Sequence, residues 1–113
     1  MYYQECKAFA TEYRKELQPV MKKMGFNISV TTFKEYYDEG KLIVKIKKVP
    51  KNFPVWSSEY SRYDFTSQAE KLKSSIALRI DKLIAEKDID CEYEVLFNRD
   101  IPYLKYEETS NDN

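Results

Sequence analysis

From Tyr2 to Met24 the side chains Cys6, Phe9, Ala10, Tyr13, Leu17, Val20, Met21 and Met24 recur at steps of three and four. That spacing sets them on one stripe of an amphipathic helix. Lys7, Glu12, Arg14, Lys15, Lys22 and Lys23 fall mostly on the other side. Pro19 interrupts the pattern. An interior proline removes one backbone hydrogen bond and crowds the turn before it, so a kink is expected there, or a second short helix beginning at Pro19. Gly25 is placed to stop the helix in a left-handed conformation, with Lys22 and Lys23 near the negative end of the dipole.

The period then changes to two. Phe26, Ile28, Val30 and Thr32 alternate with Asn27, Ser29, Thr31 and Phe33, the pattern of a half-buried strand. After a turn at Tyr36–Gly40, a second strand from Lys41 to Val49 directs Leu42, Val44 and Ile46 inward and Lys41, Ile43, Lys45 and Lys47 outward. The two form an antiparallel hairpin with a loop of about four to six residues. Pro50 to Phe65 is a connection carrying Phe53, Trp56, Tyr60, Tyr63 and Phe65. A structureless loop of that length is uncommon, so its rings either pack it down or serve a function.

Ser67-Gln68-Ala69-Glu70 has the spacing of a capping box. Ala69, Leu72, Ile76, Ile80, Leu83 and Ile84 continue from it as the stripe of a second helix reaching about Lys87. A third strand, Ile89 to Phe97, alternates Ile89, Cys91, Tyr93, Val95 and Phe97 with Asp90, Glu92, Glu94 and Leu96. Asn98 to Tyr106 contains Ile101, Tyr103, Leu104 and Tyr106 and could add a short edge strand.

The order α-β-β-α-β predicts an α+β domain: a three- or four-stranded, mostly antiparallel sheet with both helices on one face. Each strand has a single apolar row to bury, which leaves the other face open. Lys45 and Lys47 opposite Glu92 and Glu94 would favour the third strand beside the second, worth about 0.2–1 kcal/mol per pair. Residues 1–106 read as one domain and residues 107–113 as a frayed polar tail.

Composition narrows the chemistry. With 42% apolar and 15% aromatic residues the chain of 113 can bury a core, unlike a disordered sequence. No apolar run exceeds three residues, as in Leu42-Ile43-Val44, far short of the roughly 20 that span a membrane. Two cysteines cannot build a disulfide scaffold and no signal peptide is evident, so the reducing cytoplasm is the expected setting. Histidine is absent, which removes the commonest general base and metal ligand. Cys6 and Cys91 lie on apolar stripes of different elements and read as buried small hydrophobes, not as a zinc site. Gly25 and Gly40 are the only glycines, and neither opens a phosphate loop. No enzyme activity, metal or cofactor is expected.

Charge is uneven although the net is zero: residues 1–56 hold 11 basic and 6 acidic side chains, net +5, and residues 57–113 hold 8 and 13, net −5. Phe33, Ile43, Lys45, Lys47 and Lys48 would form an open-face site suited to single-stranded nucleic acid, through phosphate contacts and base stacking. The reading favoured over that site is a solvated strand face whose lysines also block edge aggregation. Zero net charge argues against indiscriminate polyanion binding.

Ten tyrosines are the other unusual feature. Tyr13, Tyr93 and Tyr103 fit core positions, while Tyr36 and Tyr37 fall at the hairpin tip and Tyr60 and Tyr63 in the long loop. Tyrosine gives large contact area at small entropic cost, so Tyr36, Tyr37, Phe53, Trp56, Tyr60 and Tyr63 are the candidate contacts for a protein partner. Trp56 and Phe65 could instead fold back as a lid. An exposed sheet edge could also support a homodimer.

Arg14-Lys15-Glu16-Leu17, then Gly25-Phe26-Asn27-Ile28-Ser29-Val30 and Leu42-Ile43-Val44-Lys45-Ile46, resembles the helix–hairpin opening of small α+β accessory domains of phages and conjugative elements, the type associated with large polyvalent proteins. The chain departs by Pro19 and by lacking a serine- and glycine-rich turn. The resemblance implies an accessory protein of a mobile element, with host defence as one target, and it carries no catalytic residue.

Overall fold

The computed structural model describes residues 2–105; Tyr106 and the expected tail 107–113 lie outside them. The first helix, α1 (Tyr3–Lys23), runs unbroken through Pro19. Of the two expectations, the second short helix does not form: the turns around Pro19 are held by Tyr13, Leu17 and Met21, which are buried against the sheet. Two stripe residues belong to the surface instead, with Val20 38% and Met24 56% exposed. Met24 is the C-cap, where the chain already leaves the helix. Gly25 follows at φ 92°. Its N–H donates to the Lys22 carbonyl at 3.0 Å, and the Phe26 N–H to that of Met21 at 2.9 Å, the paired bonds of a Schellman stop.

Strand β1 (Asn27–Lys34) and strand β2 (Gly40–Lys48) form the expected antiparallel hairpin, joined by a 3-10 turn at Tyr36–Asp38. Gly40 is required by packing. A Cβ on it would lie 2.6 Å from Cys6 Cβ and 2.9 Å from Tyr3 Cα, because α1 crosses the strand directly there.

The second helix, α2 (Ser67–Lys87), is capped one residue earlier than the sequence spacing indicates. Thr66 is buried; its Oγ1 accepts from the Ala69 N–H at 3.1 Å and donates to the Pro54 carbonyl at 2.6 Å. The threonine therefore ties the helix start to the loop as well. Strand β3 (Glu92–Phe97) lies beside β2, giving a three-stranded sheet of order β1-β2-β3. Its direction corrects the mostly antiparallel expectation, since β3 is parallel to β2. A helix of 21 residues carries the chain back by about 30 Å, so β3 starts at the same end as β2. The neighbour relation with β2 holds, but the pairs differ: Lys41 faces Glu92, Ile43 faces Glu94 and Lys45 faces Leu96.

Ile28, Val30, Leu42, Val44, Ile46, Val95 and Phe97 are buried on one sheet face. Both helices cover that face, α1 over β1 and β2 and α2 over β3. Residues 98–105 add no strand. Instead Ile101 is buried, and its carbonyl accepts the Trp56 indole N–H at 2.7 Å. No helix of the described residues is long and apolar enough to cross a membrane.

Candidate interaction surfaces

The candidate contact residues divide into surface and core. Tyr36 and Tyr37 are 88% and 95% exposed at the hairpin tip. Tyr37 and Asp38 there adopt φ of 59° and 62°, left-handed values on non-glycine residues that cost about 1–3 kcal/mol each. Tyr60 and Tyr63 are also exposed. Their backbone N–H groups are fixed by Ser58 Oγ at 3.2 Å and Ser61 Oγ at 3.1 Å. Trp56 is corrected, since its burial leaves it no free contact surface, whereas Phe53 keeps part of its surface. Trp56 is 1% exposed, and Phe53 is half-buried with its ring edge-on to Phe26 at 5.1 Å. The aromatic connection is thus a packed base with an exposed tip. An antiparallel bridge between Trp56 and Phe65 and a 2.9 Å bond from the Ser57 N–H to the Asp64 carbonyl separate the two.

Hairpin tip and loop tip do not form one surface. Trp56 and Phe65 pack on Phe97, which pairs with Ile46, whereas the tip precedes Gly40. About 20 Å of strand lies between them.

On the open face, Ile43 is half-buried in the central strand and Phe33 is 59% exposed on β1. Lys45 stands between Ser29 and Leu96. Lys47 falls at a register shift and Lys48 pairs with Asn27 beyond it, so these two lie at the strand end. Lys41 binds Glu94 at 3.0 Å across the same face, and hydrogen bonding to that carboxylate raises the lysine pKa. With Glu92 alongside, lysines and glutamates share this face.

The two thiols meet in the core, which their positions in sequence did not reveal. Cys6 and Cys91 are free and buried. Burial first, then the neighbouring Cys91 sulfur, pushes Cys6 up to about 12. Neither thiol is a nucleophile at neutral pH. Tyr13 is pushed up to about 12 by burial, and its hydroxyl has no hydrogen-bond partner among the described residues. No group of three metal-binding side chains occurs among the described residues.

The two outer strands are finished differently. On β1 the outward carbonyls of Val30 and Ile28 are taken by α1: Arg14 Nε donates to Val30 at 3.2 Å, assisted by Nη2, and Gln18 Nε2 donates to Ile28 at 3.0 Å. Four helical residues rise about 6 Å and two strand residues about 6.6 Å, so one donor per helical turn matches every second carbonyl. On β3, the Asn98 N–H donates to the Ile46 carbonyl at 2.9 Å. The strand's alternation therefore turns the main-chain groups of Val95 and Phe97 away from β2. Among the described residues, no side chain caps them. Beside this edge Arg62, Lys73 and Arg99 stand over the rings of Trp56, Phe65 and Tyr63 at 5.3, 4.3 and 4.8 Å. Neither Arg14 and Gln18 nor these cations stood out in the sequence; the signal for the first pair is two long donors four apart on the flank of a helix preceding a strand.

Comparison of the chain with protein-family models, curated proteins and solved structures found no match, and the resemblance read from residues 14–46 rests on that pattern alone.

Proposed function

We propose that this chain is a non-enzymatic, cytoplasmic binding domain whose partner is a protein, engaged at the hairpin tip. The observation that carries this reading is the tip itself, where two adjacent tyrosines are almost fully exposed on a backbone with two successive left-handed residues. Strain of that kind persists where surrounding structure holds it, and it gathers at binding sites. Exposed tyrosine is also a side-chain type enriched at protein interfaces. The resemblance of the first half gives the setting we propose, an accessory protein of a mobile element. Nucleic-acid binding by Phe33, Ile43, Lys45, Lys47 and Lys48 draws less support, because Glu92 and Glu94 share the face and Lys41 is engaged there.

The test is affinity capture with the intact chain against the Tyr36→Ala, Tyr37→Ala double variant. Both residues are exposed, so the variant should keep its melting temperature while losing at least about tenfold in recovery of a saturably bound protein. Equal recovery by both would refute the tip as the contact. Saturable, salt-sensitive binding of labelled single-stranded DNA, lost in Lys45→Glu with Lys47→Glu, would replace the reading altogether.

A further inference from the structure

We infer that the free edge of β3 is a docking groove for an extended acidic peptide segment of a partner protein, added to the sheet as a further strand. The edge has no strand partner, since the sheet ends at β3; Val95 and Phe97 are largely buried, and what they leave open faces a groove. Beside it runs an open groove of about 460 Å³, lined by Lys45, Arg62, Lys73 and Arg99, with Glu94 as its one carboxylate. Glu94 is already occupied by Lys41 at 3.0 Å. Among the described residues, none of the four lining cations has a carboxylate partner.

Three of those cations are held in place by rings instead. Lys73 stands 4.3 Å from the Phe65 centroid, Arg99 4.8 Å from that of Tyr63, and Arg62 5.3 Å from that of Trp56. A ring does not neutralise the cation that rests on it, and Arg62 spends one further N–H on the Glu59 carbonyl at 3.3 Å, which leaves its charge unpaired as well. The same groove therefore offers two kinds of recognition. The outward N–H and C=O groups of Val95 and Phe97 would pair with a main chain, and the flanking cations would take its acidic side chains.

Charge also selects the occupant. A second copy of this chain would bring the same cations against one another across the edge, which disfavours self-pairing. A nucleic-acid strand could use the cations and the exposed Tyr60 and Tyr63 rings, yet it has no amide groups to satisfy a sheet edge. An acidic extended peptide uses both features.

The proposal is independent of the hairpin tip, which lies at the other end of the sheet. Its test is a titration of the ¹⁵N-labelled full chain with a capped octapeptide of alternating glutamate and threonine, followed by amide chemical shifts. Saturable shifts at Val95 and Phe97 are expected, with a dissociation constant below about 1 mM. Replacing the glutamates by lysine, or placing proline at alternate positions, should weaken binding at least about fivefold. Arg62→Glu with Arg99→Glu should do the same. Lys73→Glu alone is the fallback if the double variant loses its spectral dispersion. The Tyr36→Ala, Tyr37→Ala variant should bind the peptide unchanged, which separates this groove from the tip. No shifts up to about 2 mM peptide, equal binding of the proline-interrupted peptide, or shifts produced at lower concentration by oligothymidylate would each overturn the proposal.

Discussion

Strands β1 and β3 flank the same central strand, and each lies beneath a helix. The α1 flank presents Arg14 and Gln18, whose guanidinium and amide groups donate to the Val30 and Ile28 carbonyls respectively. The α2 side makes its polar link through a side chain: the Tyr93 hydroxyl donates to Asp81 Oδ1 at 2.6 Å. That bond fixes a ring and leaves the main chain of β3 as it was. A three-stranded sheet has two edges to protect from unwanted pairing. Here one has two successive outward carbonyls, those of Val30 and Ile28, taken by donors in register with them, and the other is bordered by cations on an aromatic base. The contrast teaches that burial of a sheet's face and completion of its edge are separate problems, solved by different side chains.

The largest expected effect comes from removing the base of the β3 edge. Trp56→Ala deletes a buried indole, its bond to Ile101 and its contacts with Phe65 and Phe97. Loss of about 3–5 kcal/mol in urea denaturation is expected. A loss below about 1 kcal/mol would mean that the aromatic loop folds independently of this edge, and the comparison would lose its structural basis on that side.

Opening the β1 edge should cost less and change association more. Arg14→Ala with Gln18→Ala removes donors to two carbonyls that can then turn to water, so about 1–3 kcal/mol of stability is expected to be lost. The uncovered edge should also pair with itself, giving a concentration-dependent dimer in sedimentation velocity. A variant that stays monomeric while losing the same stability would show that the donors fasten α1 to the sheet without guarding the edge.

The local part of this architecture was legible. Apolar steps of three and four located α1 and α2, and strict alternation located the three strands, because each pattern records which side of one element is buried. The parallel direction of β3 was missed although its signal was present: a helix of 21 residues between two strands is a crossover, not a hairpin. Burial of Trp56 was undetermined by composition, since an aromatic-rich loop reads alike whether its rings point in or out. Arg14 was assigned to solvent because hydrophobic periodicity treats polar residues as outward. A long guanidinium on the flank of a helix can instead reach a strand carbonyl. The edge groove draws Lys45, Arg62, Lys73 and Arg99 from four separate segments, and only the folded chain brings them together.

The smallest effect is expected at the bridge between the two helices, where Lys87 Nζ lies 2.8 Å from Glu12 Oε2 with both side chains largely exposed. The Lys87 hydrogen bond holds the Glu12 carboxyl below the usual carboxylate range, and the same bond raises Lys87. A lowered carboxyl stabilises the fold above its ordinary pKa of about 4.3 and loses that contribution as pH falls through its folded value. The raised lysine contributes below its ordinary value of about 10.4 and loses the contribution as pH rises beyond it. Between those limits the bridge is constant. Exposed pairs of this kind contribute little and are screened by salt. Glu12→Gln should therefore shift the melting temperature by no more than about 4 °C at pH 7. The difference from the unmodified chain should vanish in acid, and peptide binding at β3 should be unaffected. A large shift at pH 7 would show that the ion pair couples the two helices, so the closed and open edges would no longer be independent features of the fold.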